Sequence, residues 1–230
     1  MSLSQRVHIA PRYQRAMRID ADLNDAGALE GFVCTGTFQR ALTTVADQLK
    51  ATGHGAYTWT GPYGGGKSSL VLALAGLIGP KGAVREQAKI VLGASTSDRV
   101  IDAFAPSAAG WRVIPVVGQR RDATHVIWDA LIASGAVRDQ PRRLTSSHVL
   151  DTLVSIAKRP NHTGLVLVID ELGKLLEHAA GGDGDLQPFQ ELAERASRSQ
   201  GRLVVIGILH QAFDEYAGRL GKHVRDEWSK

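Results

Sequence analysis

The sequence predicts an α/β fold of three layers, a mostly parallel sheet flanked by helices. Three observations carry this. β-prone runs alternate with helical patterns along the chain, the order expected of a parallel sheet. Two of those runs, LVLVI at 165–169 and LVVIGIL at 203–209, are apolar without a break, as strands covered on both faces are. A glycine-rich stretch at 61–66 joins a short β-prone run to a strongly apolar helix. With 230 residues, 43% of them hydrophobic and 22% charged, the chain can bury the core of one domain and lies outside disordered or collagen-like compositions.

Each element has its own warrant. Residues 1–31 are polar and irregular and read as an N-terminal extension, ahead of a core over 32–230. At 37–51, Phe38, Leu42, Val45 and Leu49 recur at helical spacing, and Gly53 follows. AYTWT at 56–60 is short, aromatic and β-prone, hence a strand. The helix at 67–78 ends at Gly79-Pro80, and one or two short helices fit 83–105. WRVIPVV at 111–117 reads as a strand, with Pro115 placing it at an edge. Helical patterns at 123–134 and 146–157 precede the strand at 165–169. A glycine-rich loop at 181–185 leads to a helix at 186–199, with Asp185 as its cap, and a last helix is expected at 211–225.

Composition excludes several classes. The single cysteine, Cys34, permits no intrachain disulfide and no Cys-based zinc site, and it fits a reducing, cytoplasmic setting. No signal-peptide pattern opens the chain. The longest greasy stretch, 70–78, is far short of the ~20 residues of a membrane span. The net charge of +4 permits nucleic-acid contact without arguing for it. Arg120-Arg121, Arg142-Arg143 and the Arg12, Arg15, Arg18 series have no interleaved aromatics. The histidines show no metal-binding spacing.

The sharpest motif is Gly61-Pro62-Tyr63-Gly64-Gly65-Gly66-Lys67-Ser68, which fits GxxxxGK[ST]. A phosphate chain must approach the backbone closely, so side chains must be absent at several positions. Glycines also reach the positive φ angles that turn successive N–H groups inward, and the helix that follows adds its positive end. Lys67 brings a full charge to the β and γ phosphates. Ser68 offers a hard oxygen to Mg²⁺, beside Ser69. The second motif is the strand at 165–169 running into Asp170-Glu171. Asp170 can hold the metal's water shell while Glu171 orients the attacking water. At the end of the strand at 203–209, His210 and Gln211 are both candidates for sensing the γ-phosphate; position alone does not choose between them. Phe32 and Val33, just before the first strand, are candidates for apolar contact with adenine.

These residues resemble the P-loop NTPase superfamily, with the phosphate loop as Walker A and the Asp-Glu strand end as Walker B. The pair looks like the AAA+ and STAND branch. The fuller pattern GPYGGGKSSLVLALAGLIGP, VIDELGKLLE and LHQAFDEYAGRL is similar to the N-terminal ATPase module of large bacterial ATP-binding proteins, many of them anti-phage defence components. The resemblance implies Mg²⁺-dependent hydrolysis of ATP by a motor or switch module. It also implies a fifth strand and a helical lid beyond the last helix, so the core is expected to be C-terminally incomplete, without a complete lid. AAA+ proteins usually carry Asn where His210 or Gln211 stands, which leaves the RecA-like branch open. Many such ATPases take an arginine from a neighbouring subunit. Arg219 or Arg225 would serve a homo-oligomer in that way, with Arg195 and Arg198 as runners-up. The rival readings are a non-hydrolysing ATP-dependent switch or scaffold, a DNA-associated NTPase, and a small-molecule kinase, for which no Arg-rich lid is evident.

Overall fold

The computed structural model describes residues 17–183 and 186–211. In chain order the elements are α1 (Ile19–Asp22), a 3₁₀ turn (Ala26–Leu29), α2 (Gly36–Thr52), β1 (Ala56–Thr60), α3 (Lys67–Ile78), α4 (Ala83–Leu92), α5 (Ala94–Phe104), β2 (Arg112–Val117), α6 (Ala123–Ala133), α7 (Ser146–Ala157), β3 (Leu165–Asp170), α8 (Leu172–His178), a π turn (Ala179–Asp183), α9 (Gln187–Ser197) and β4 (Leu203–Leu209). The four strands form one wholly parallel sheet in the order β1-β4-β3-β2.

Alternation along β3 and β4 divides the interior into two cores. Val166, Val168, Val204, Ile206 and Ile208 face one way, onto α2, α3, α4 and α5. Leu165, Leu167, Ile169, Leu203 and Val205 face the other, onto α6, α7 and α9. Both faces are covered, which is why these strands read as unbroken apolar runs. The result is a three-layer α/β fold, a parallel sheet between two layers of helices. Pro115 sits in β2, an edge strand, as its missing N–H requires.

Local chemistry sets the ends of the helices. The Thr35 hydroxyl accepts from Phe38 N at the start of α2, which closes on Gly53 at φ 70°. Asp122 and Thr145 cap α6 and α7 in the same manner. Helix α3 has no polar face. Leu70, Val71, Leu72, Leu74, Leu77 and Ile78 are all buried, as expected of a helix packed on every side.

Two sequence readings are corrected. The segment before residue 32 is not irregular throughout: α1 and the 3₁₀ turn send Ile19, Ala28 and Leu29 into the core beside α3. Their apolar residues are too few and too unevenly spaced to show a period. Helix α9 starts at Gln187, with Leu186 at its N-cap and no side-chain cap. Asp185, and the helix expected at 211–225 beyond Gln211, lie outside the described residues.

Candidate functional site

The glycine-rich loop leaves the end of β1 and is tied at once to its neighbour, because Gly61 N donates to Leu209 O at 3.2 Å. Gly64 and Gly66 take φ of 71° and 81°, angles that a Cβ would strain. A Cβ on Gly66 would also lie 3.1 Å from the Phe38 ring. The first N–H groups of α3 have no carbonyl of their own helix to reach, and they open towards the loop.

A cavity of about 530 Å³ lies over this loop. Tyr63, Gly64, Gly65, Gly66, Lys67, Ser68 and Ser69 line it, with Asp170, Glu171 and His210 from the ends of β3 and β4. Such a volume suits a nucleotide's polyphosphate. Gly61 and Pro62 lie off the wall, their carbonyls accepting from Lys67 Nζ at 2.6 and 2.7 Å. Lys67 is only 8% exposed. Burial lowers its pKa, opposed by the Asp170 carboxylate.

The second motif meets the first across β4, which lies between β1 and β3, because Ser68 in the first turn of α3 reaches the end of β3. Ser68 Oγ donates to Asp170 Oδ2 at 3.2 Å, and Asp170 Oδ1 accepts from Glu171 N at 2.9 Å. A hydroxyl and a carboxylate this close are a hard-oxygen pair that fits Mg²⁺, which takes one or two protein ligands and fills its sphere with phosphate oxygens and water. Among the described residues no group of three or more His, Cys, Asp or Glu could hold a metal by itself. Glu171 turns the chain from β3 into α8 at φ 55°, a left-handed angle costing about 1–3 kcal/mol for a non-glycine residue. Its carboxylate pairs with Lys174 Nζ. Gly118, after β2, makes room for this turn: its N–H donates to Asp170 O at 2.7 Å, and a Cβ there would lie 2.2 Å from Glu171 O.

Of the two polar residues after β4, His210 lines the cavity and Gln211 is exposed outside it. The His210 ring stacks on Tyr63 with centroids 3.7 Å apart and planes 14° apart. Both of its nitrogens are buried without a hydrogen-bond partner. Burial, with help from Lys67, lowers its pKa against the opposing pull of Asp170 and Glu171.

Other expected residues fall elsewhere. Phe32 stacks on Phe38, centroids 5.7 Å apart, and Val33 is 72% exposed; neither lines the cavity. Arg195 pairs with Asp151 and Arg198 with Glu194, on the stretch of α9 that leads to the start of β4, whereas the phosphate loop lies at the strands' carboxyl ends. Arg219 and Arg225 lie outside the described residues. Sequence reasoning missed Met17, Arg18, Ile19 and Asp20, which line the same cavity from the segment set aside as an extension. No motif marks them; Arg18 stood out only as one of the Arg12, Arg15, Arg18 series.

No helix among the described residues is long and apolar enough to cross a membrane. No family model matches the chain, and no curated protein matches it. Among solved structures it is similar to C. elegans PCH-2, with a TM-score of 0.40 and 13% identity over 90% of this chain and 44% of that one. The chain therefore spans less than half the length of that protein.

Proposed function

We propose that this chain is the ATP-binding core of a P-loop ATPase, hydrolysing ATP to ADP and phosphate with Mg²⁺, and acting as the motor or switch module of a larger bacterial protein. The observation that carries the reading is the 3.2 Å contact between Ser68 and Asp170 at the floor of a cavity walled by the loop. The resemblance of the two motifs to Walker A and Walker B supports it.

Each residue then has a task. Loop N–H groups and the start of α3 cradle the phosphates. Lys67 leaves the Gly61 and Pro62 carbonyls for the β and γ oxygens, where its charge counts for more than in two neutral contacts. Ser68 and Asp170 would hold Mg²⁺, which when bound offsets charge on the phosphates. Glu171, released from Lys174, accepts a hydrogen bond from the attacking water and aims it. His210 carries a ring N–H with no hydrogen-bond partner and can donate it to the terminal phosphate.

Calorimetry with Mg·ATP tests the reading. Wild type binds, and Lys67→Ala weakens binding at least about tenfold, a charged contact being lost. Glu171→Gln keeps the affinity and loses about 10²–10⁴-fold in turnover, the usual worth of a general base. Equal affinity in wild type and Lys67→Ala would sink the binding site. Wild-type turnover in Glu171→Gln removes Glu171 from the chemistry. Binding without turnover in wild type points to the switch reading instead.

A further inference from the structure

The acids of the cavity leave room for a second cation. Asp170 is committed to Ser68 and Glu171 to Lys174. Lys67 is one full positive charge, and a triphosphate brings several negative ones. Among the described residues that line the cavity, one arginine is present, Arg18.

Its backbone is held beside the core, and its side chain is exposed. Ile19, the next residue, is 1% exposed and belongs to the core. Arg18 N donates to Asp22 Oδ2 at 2.9 Å, and Asp22 is itself buried. The Arg18 side chain is 66% exposed, and its fork holds Asp20, Nε to Oδ1 at 3.2 Å and Nη2 to Oδ2 at 2.6 Å. An ion pair this exposed adds little, because water screens both partners. A phosphate group offers the same fork two oxygens for a bidentate contact, with more charge than a carboxylate.

We propose that Arg18 is an intramolecular arginine of the nucleotide site, which exchanges Asp20 for the terminal phosphates of a bound nucleoside triphosphate. The proposal rests on the reading of the cavity as a triphosphate site. Asp20 is then the resting partner, and the segment before α2 forms one wall of the site. The arginine belongs to the same chain, so it needs no neighbouring subunit.

The test compares Mg²⁺-dependent binding of a non-hydrolysable ATP analogue and of ADP to wild type, Arg18→Ala, Arg18→Lys and Asp20→Asn, with turnover followed against protein concentration. Arg18→Ala should weaken the triphosphate analogue about 10- to 100-fold, the worth of charged hydrogen bonds, and ADP by no more than about twofold. Asp20→Asn should act in the opposite sense, tightening the triphosphate roughly two- to fivefold. Arg18→Lys should fall between wild type and Arg18→Ala, since it keeps charge and loses the fork. Turnover per molecule should not depend on protein concentration. Equal losses for ADP and the triphosphate analogue in Arg18→Ala, or weaker binding in Asp20→Asn, would show a structural ion pair and overturn the proposal. Wild type that binds neither nucleotide overturns the site itself, and that result is read before any variant is made.

Discussion

Tyr57 shows how a side chain away from the cavity holds the site's supports. Its hydroxyl donates to His54 O at 2.7 Å, with Val45 O 3.2 Å away, so it sits between α2, the turn after it and the strand that feeds the glycine-rich loop. Burial pushes the phenol up to about 12, from an ordinary value near 10. The folded state thus binds this proton more tightly than the unfolded one. Its contribution is fully present below about pH 10 and is lost as pH rises through about 12. Tyr57→Phe should cost about 1 kcal/mol at pH 8, from the lost hydrogen bond. Because the variant lacks this titration, its deficit against wild type in urea unfolding should shrink at pH 11. A deficit that stays constant from pH 8 to 11 contradicts the shift. At this scale the sequence was legible where a motif demands a residue type, as at Lys67, Ser68 and Asp170. It was silent where a contact joins distant segments, as in the stacking of Tyr63 on His210, because spacing carries no information about which loops meet.

Among the elements, the junction of β3 and α8 is tightly constrained. Gly118 and Gly207 border it from opposite sides, and they differ in what a Cβ would meet. At Gly118 it would strike the Glu171 carbonyl at 2.2 Å, and backbone there yields only if the whole turn moves. At Gly207 it would meet Leu172 Cδ2 at 2.5 Å, the tip of a side chain that can rotate away. Gly118→Ala should therefore cost about 1–3 kcal/mol, as overpacking does, and should lower turnover by displacing Glu171. Gly207→Ala should cost less and leave turnover nearer to wild type. Denaturant unfolding and ATPase assays on the two variants check the ranking, and a Gly118→Ala protein with wild-type stability and turnover would contradict this close approach. The elements themselves were largely readable. The apolar runs of β3 and β4, the aromatic β1 and the all-apolar α3 each follow from a local pattern, and Pro115 marked β2 as an edge. The strand order was not readable, because alternation tells which residues face a core and not which strand lies beside which. The start of α9 was missed for a different reason: it opens with Leu186 at its N-cap and a proline in its first turn, without a capping side chain.

Over the whole molecule, the loop is tied into both layers and into the sheet. Gly61 hydrogen-bonds to Leu209 of β4, α3 anchors the first core, and Asp170 ends a strand whose alternate residues fill both. Arg18 brings the segment before α2 to the same cavity through Ile19 in the first core. A nucleotide bound there would meet α1, α3, the end of β3 and the residue after β4 together, so unfolding any of these elements must release it. Ligand that binds only the folded state stabilises it by RT ln(1 + [L]/Kd), which is about 2.7 kcal/mol at a hundredfold excess over Kd. For a domain of this size each kcal/mol shifts the midpoint by roughly 2–4 °C. Mg·ATP at a hundred times its Kd should therefore raise the melting temperature by about 5–11 °C. Lys67→Ala at the same nucleotide concentration should show about half of that rise or less, a tenfold weaker Kd leaving about 1.4 kcal/mol, while melting near wild type without nucleotide. The second condition matters because Lys67 Nζ also holds Gly61 and Pro62 carbonyls, and a variant that melts early on its own would mark the lysine as a brace of the loop rather than a phosphate ligand. Equal rises in wild type and Lys67→Ala would place the nucleotide somewhere other than this loop.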